Sequence, residues 1–392
     1  MSGRNFNRRS LLAGAGAASL GLAASGAFAQ SATQPAAPAP AAAPAPDPPP
    51  PALKALFADR FRIGMALDPE ILEQRMSRDL VLTHASSISA ESVMKAQPIS
   101  LGERSYDFSR ADALIAFAQA HGIGVRGHNL VWHQTAPDWF FAGDTSDKAA
   151  YQAKVRRRLE TYVHDVVTHF KGKVYCWDVI NECTSDSASD VYRQSPWFKA
   201  LGPDYIVYAL KAARAADPDA ALFINDYDTE HDEKRGRLLQ IVRTARAAGA
   251  PLDGVGHQMH INTLSPSPAM VHRALTDVEG LGLINHVTEL DVSIYPDPGS
   301  CFADRSTCLP SLRPHDPRLR EALMDQARQY RAMFKVFEAH PSVKSVTFWG
   351  IADNHTWLDT FPVTRLNLPL LFAPGGQPKP AYWAVVDQDS PI

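Results

Sequence analysis

Val174–Glu182 reads VYCWDVINE, a run of β-branched and aromatic residues that ends in an amide and a carboxylic acid. Such a run predicts a buried strand, and a carboxyl just past a strand's C-terminal end is where parallel α/β barrels keep their chemistry. Glu182 is therefore the first candidate catalytic residue. Ile284–Val292, INHVTELDV, has the same design about a hundred residues later and delivers Glu289 to a corresponding position.

Six further short apolar runs accompany these two: Phe61–Leu67, Leu82–Ile88, Gly124–Trp132, Ala221–Tyr227, Gly254–His260 and Ser345–Ile351. Helix-like segments fill the gaps, Ala111–Ala120 and Ala149–Phe170 among them, with Leu, Val and Phe at helical spacing. Eight strands alternating with helices predict an α/β chain folded as a single (β/α)8 TIM barrel over residues 53–392. An open doubly wound sheet fits less well, because no Gly-rich phosphate loop follows the first strand.

With 392 residues, 45% of them apolar, the chain can bury a large core. Its net charge of -3 supplies no basic field to gather nucleic acid or anionic membrane, so a neutral or weakly charged substrate is expected. Residues 1–29 carry Arg8-Arg9, an Ala/Gly/Leu run and the small-residue ending Ala27-Phe28-Ala29, which predicts a twin-arginine-type export signal cleaved near Ala29. The run is too short and too rich in small residues for a membrane anchor. A periplasmic or secreted protein is expected, with no membrane contact after signal removal. Residues 30–52, nearly all Ala and Pro, predict an extended linker. Cys301 and Cys308 share one Gly/Pro-rich loop and are expected to close it by a disulfide. Cys176 and Cys183 flank the Glu182 strand and lie too far apart along it to pair.

Polar clusters gather at the expected C-terminal ends of the strands. The second run leads to Glu91 and Lys95, the third ends in His128, Trp132 and His133, and the fifth exits through Asn225-Asp226-Tyr227-Asp228. On the sixth, a two-residue period places Gln258 and His260 on one face; on the seventh, Glu289 and Asp291 share a face. His260 is thus placed to bridge Glu289 and Asp291, holding Glu289 ionised. The eighth supplies Trp349, followed by Trp357; tryptophans at a barrel mouth offer platforms for the C–H faces of sugars. Two carboxylates on two strands suggest glycoside hydrolysis, in which Glu182 starts protonated, its pKa raised by burial and by nearby Glu289.

In order along the chain, GHNLVWH (127–133), WDVINE (177–182), NDYD (225–228), GHQMH (256–260), TELDV (288–292), FWGIADNHTW (348–357), PLLF (369–372) and PKPAYW (378–383) resemble glycoside hydrolase family 10, the endo-β-1,4-xylanases. The resemblance implies a retaining double displacement on internal bonds of a β-1,4-linked polysaccharide of the xylan class, with Glu182 as general acid/base and Glu289 as nucleophile. It further implies that Asn181 bonds the 2-hydroxyl of the sugar under attack, that Gln258 contacts the acid/base, and that His260 links Glu289 to Asp291. Glu91, Lys95, His128 and Trp132 match residues that hold sugars on the non-reducing side; Tyr227, Trp349 and Trp357 complete the substrate-binding set. No cofactor and no metal are implied, and a monomer is expected.

Three features depart from the family pattern. Ser92 stands where an Asn is usual, Leu358 stands where Arg often follows the tryptophan and is expected to make that rim more apolar, and the loop from Cys301 to Pro317 is long. Other readings are an exo-acting or other β-glycan-specific glycosidase, a carbohydrate-binding protein with little turnover, and a metal-dependent hydrolase using His128, His133, His257 and His260. Against the last, His257 and His260 would face opposite sides of one strand.

Overall fold

A computed structural model describes residues 49–391. The expected export signal at 1–29 and most of the linker at 30–52 lie outside the described residues. The chain forms eight parallel strands: β1 Arg62–Leu67, β2 Ser87–Ala90, β3 Gly124–Val131, β4 Cys176–Asn181, β5 Ala221–Asp226, β6 Gly254–His257, β7 Ile284–Ser293 and β8 Val343–Phe348. Each pairs with the next, and β8 pairs back onto β1 with Ser345 opposite Arg62, closing the barrel.

Helices pack outside. Lys148–His169 starts where the Asp147 carboxylate accepts from the Ala150 amide at 3.0 Å, and it buries Val155, Leu159, Tyr162, Val163 and Val166 along one stripe. Pro268–Glu279 starts with proline in its first turn behind a Ser267 cap.

Two of the eight expected strands need correction. Leu82 lies in the last turn of a helix, Arg75–His84, whose buried stripe is Ser77, Val81 and His84; the strand is only Ser87–Ala90. A short apolar run fits either period, and here helix packing prevailed. The sixth expected strand breaks after His257, turns through Met259 in the left-handed region (φ 61°) and resumes as His260–Asn262 beside β7. A hairpin of Ser100–Gly102 with Ser105–Tyr106 had no counterpart in the sequence reading.

Beneath the C-terminal mouth the bore is polar. Arg126 on β3 makes two bonds to Asp178 on β4, one of them at 3.0 Å from Nε, and reaches across to His286 Nδ1 on β7 at 2.6 Å. Because β3 and β7 are not neighbours, that contact spans the barrel. Burial would push Asp178 up, but Arg126 first and then His128 bring it down to about 2. Burial, reinforced by Arg126, holds His286 well below its ordinary pKa, so it accepts from the guanidinium. On the outer side, Gly127 leaves room for the Trp177 indole; a Cβ there would collide with it.

Arg126 and Asp178 are both essentially inaccessible, so removing Arg126 leaves Asp178 a buried carboxylate with only His128 beside it. Arg126→Met is expected to cost about 3–5 kcal/mol of stability. Chemical denaturation checks this; a loss below about 1 kcal/mol would show that the buried Asp178 is accommodated without Arg126.

Candidate active site

β4 ends at Asn181, and Glu182 follows in the left-handed region at φ 57°, a conformation that favours glycine. Its backbone is pinned from two sides: the Glu182 amide donates to Asn225 O at 2.8 Å, and Arg193 Nε donates to Glu182 O at 2.8 Å. The buried side chain accepts from Trp132 Nε1 at 2.8 Å and from Gln258 Nε2 at 3.2 Å. Burial lifts the Glu182 pKa above the usual carboxylate value, and the negative Asp226 lifts it further; the two donors pull the other way without reversing it. Glu289 also raises it, but behind Asp226, whose part the sequence reading did not foresee.

Glu289 sits in the body of β7 with the opposite surroundings. Asn225 Nδ2 donates to its Oε1 at 2.8 Å, and His260 Nε2 to its Oε2 at 3.2 Å. Burial alone would raise its pKa; His128, His260 and Asn225 outweigh that and hold it below the usual carboxylate range. The other nitrogen of His260 bonds Asp291 Oδ2 at 2.9 Å, and the Trp357 indole donates to the same oxygen at 2.8 Å. Between two carboxylates, His260 is pushed up to about 10 against the opposing effect of burial, so it is an imidazolium across the working range.

Asn225 orients the site. Its carbonyl accepts from Thr288 Oγ1 at 2.7 Å, which turns its amide nitrogen towards Glu289 and towards Asn181 Oδ1, also 2.8 Å away. With its oxygen engaged, Asn181 retains its amide N–H groups for a ligand. Gly256 makes this possible, since a Cβ there would strike Asn225 Oδ1. Gln258 and His260 both serve the carboxylates, yet not through a shared strand face: the turn at Met259 separates them. His257 lies apart, buried between Thr229 and Asn285, and burial drives its pKa down to about 4.

The rim residues are less uniform. Lys95 Nζ lies 4.8 Å from the Trp132 ring centre and 5.8 Å from that of Trp349. Burial lowers the Lys95 pKa, although Glu289, Glu91, Asp68 and Glu182 all favour its charge. His128 is held by Asp178 at 2.9 Å and meets Trp349 edge-on at 5.2 Å. Glu91 pairs with His355 at 3.3 Å. Tyr227 is likewise engaged elsewhere: its hydroxyl donates to Asp186 and accepts from Arg193 Nη2 at 2.7 Å, within a cluster that includes Lys234. Ser92 and Val93 donate their amides to Asp68 at 2.9 and 3.1 Å, and the Ser92 hydroxyl joins them, so this serine ties the β2 loop to the end of β1. Leu358 is buried and does not make the rim apolar, contrary to the expectation from sequence. The Cys301–Cys308 disulfide closes the loop after β7.

Sequence reasoning missed Asn225, Asp226, Arg193 and Asp68 as working residues. The first two stood inside a motif that by itself reads as a turn; Arg193 and Asp68 carry no local signal, because their partners are distant in sequence.

A barrel that gathers at its mouth two carboxyls whose pKa values are driven in opposite directions has the make-up of a glycosidase. The chain belongs to glycosyl hydrolase family 10, whose model matches residues 52–388. It is 38% identical over 340 residues to endo-1,4-beta-xylanase B of Paenibacillus barcinonensis, covering 86% of this chain and 98% of that one. An endo-1,4-beta-xylanase of Geobacillus stearothermophilus is 39% identical over 338 residues, with coverages of 86% and 98%. Among solved structures, xylanase XynB from Paenibacillus barcinonensis, complexed with a conduramine derivative, superposes with a TM-score of 0.78 at 35% identity, covering 86% of this chain and 99% of that one.

Asp226 raises the Glu182 pKa, and an amide in its place still accepts from the Thr184 amide, which now donates to it at 2.9 Å. Asp226→Asn is therefore expected to shift the basic limb of the kcat/KM profile to lower pH with the fold intact. An unmoved limb would remove Asp226 from the tuning of Glu182.

Proposed function

We propose that this chain is an endo-1,4-β-xylanase that hydrolyses internal bonds of xylan with retention of configuration, using Glu182 as acid/base and Glu289 as nucleophile. The observation that carries the reading is the opposed tuning of the two carboxyls: desolvation and a neighbouring anion raise the Glu182 pKa, while His128, His260 and Asn225 lower that of Glu289. The names of the curated relatives, matched over nearly their whole length, support xylan as the substrate.

In the first step the Glu182 proton passes to the glycosidic oxygen as the C–O bond breaks, and a Glu289 oxygen bonds the anomeric carbon. The transition state carries oxocarbenium character, so a hydroxyl bonded by the Asn181 amide is stabilised more there than in the ground state. Forming the ester consumes the Glu289 charge. Glu182 then loses one of the anions that raised its pKa, which suits it to take a proton from water as that water attacks the anomeric carbon and Glu289 departs as a carboxylate. His260 stays charged throughout, paired with Asp291.

Lys95, His128, Trp132, Trp349 and Trp357 line the sugar path in this reading, and the enzyme acts as an exported monomer on a neutral chain. Lysine at Arg8 and Arg9 would hold it in the cytoplasm on cell fractionation if the export signal works as proposed; unchanged export would refute that part.

Glu289→Ala is expected to abolish turnover on every substrate. Glu182→Ala should lose about 10²–10⁴-fold on xylan yet spare aryl glycosides whose leaving groups need little protonation. Equal losses in both variants on such aryl glycosides would overturn the assigned roles.

A further inference from the structure

Seven large apolar side chains are exposed among the described residues, and three belong to one corner of the molecule. Phe302 (52% exposed) and Leu309 (38%) lie on or beside the disulfide-closed loop, and Phe361 (37%) on the loop after β8 that faces it. These are held positions. Arg365 pairs with Asp297 and donates to Leu309 O at 2.9 Å, while Arg305 Nε donates to Pro362 O at 2.7 Å, joining the two loops. Exposed apolar surface that a scaffold holds in place marks an interaction site.

The rings prolong the wall of the cleft. Trp357, which bonds Asp291 and meets His260 at 5.0 Å, stacks on Phe361 with centroids 5.5 Å apart and planes at 24°; Phe361 lies 5.7 Å from Phe302. The Arg305 guanidinium is 5.5 Å from the Phe361 ring centre and, among the described residues, pairs with no carboxylate. Oδ1 of the neighbouring Asp304 accepts from the Ser306 amide and hydroxyl at 3.0 and 2.7 Å.

We propose that Phe361, Phe302 and Arg305 form an accessory sugar site that takes a uronic acid side group of the polysaccharide lying in the cleft. The aromatic rings receive the C–H face of the pyranose, and the guanidinium receives its carboxylate. A neutral backbone sugar would use the rings alone, whereas the exposed Arg305 guanidinium, whose Nε holds Pro362 O, pairs with no carboxylate among the described residues and offers its charge to an anionic group; the three side chains offer far less surface than a stable protein partner requires. The site rests on the xylanase reading for the identity of the polymer, and adds a preference for acidic decoration. An exposed ion pair is weak, so the site selects among chains rather than anchoring them.

The test compares kcat/KM on three purified substrates: linear xylo-oligosaccharide, the same chain bearing a uronic acid side group, and its carboxyl-reduced counterpart. The wild type is expected to prefer the acidic chain over the reduced one by about 2- to 5-fold, a margin that shrinks in high salt. Arg305→Ala should erase that preference and Arg305→Lys restore part of it, while Phe302→Ala lowers both decorated substrates. Activity on the linear chain, unchanged in all three variants, reports that they fold. No preference in the wild type, or a loss in Arg305→Ala that falls equally on linear and acidic chains, would overturn the site. Wild-type protein inactive on the linear chain would instead sink the xylanase reading, and the accessory site with it.

Discussion

The charge on His260 is the constraint from which the catalytic face follows. Glu289 and Asp291 lie two residues apart on one strand, a spacing that sets their side chains on the same face roughly 7 Å from one another. At an effective dielectric constant near 20, two anions at that distance repel by on the order of 2–3 kcal/mol. An imidazolium bonded to both offsets that repulsion, and the two carboxylates in turn hold the proton on the imidazole. The sixth strand already runs beside β7, with His257 opposite Val287, and the break at Met259 shifts the register so that His260 lies opposite Asp291; an irregularity in the barrel wall is thus part of the charge arrangement.

The acid is tuned by the opposite means. Glu182 leaves β4 through a strained backbone, in a buried position where its closest electrostatic influence is Asp226, an anion from the adjacent strand. Asp226 is not consumed in the reaction, whereas the Glu289 charge is. The acid/base therefore has a permanent and a transient component to its elevated pKa, and only the transient one changes between the two chemical steps. Asn225, preceding Asp226, orients Glu289 while its backbone carbonyl receives the Glu182 amide, so one strand end contributes to both carboxyls.

Much of this was legible in the sequence. VYCWDVINE and INHVTELDV are buried runs ending in carboxyls, and barrel geometry requires such ends to meet at one mouth. Leu82 was assigned to a strand because a short apolar run does not declare its period, and the stripe of Val81 and His84 that decides for helix becomes visible only with packing. Trp132 and Trp357 read as sugar platforms, but their indole N–H groups also hold Glu182 and Asp291, a polar duty that residue type alone does not reveal. Ser92 reads only as a departure from the family's usual Asn; in the fold its hydroxyl bonds Asp68, a residue with no local tie to it in sequence. The His260 bridge to β7 could be read across strands, whereas the ties of Ser92 to Asp68 and of Arg193 to the Glu182 backbone could not.

Two carboxyls of the same chemical type share one cleft, yet their surroundings drive their pKa values apart before substrate arrives. Carbon-13 NMR titration of the glutamate side-chain carboxyls, assigned with Glu182→Gln and Glu289→Gln, measures this directly. The account predicts that Glu289 titrates below the ordinary carboxylate pKa of 4.5 and Glu182 above it. A Glu182 that ionises at lower pH than Glu289 would contradict it.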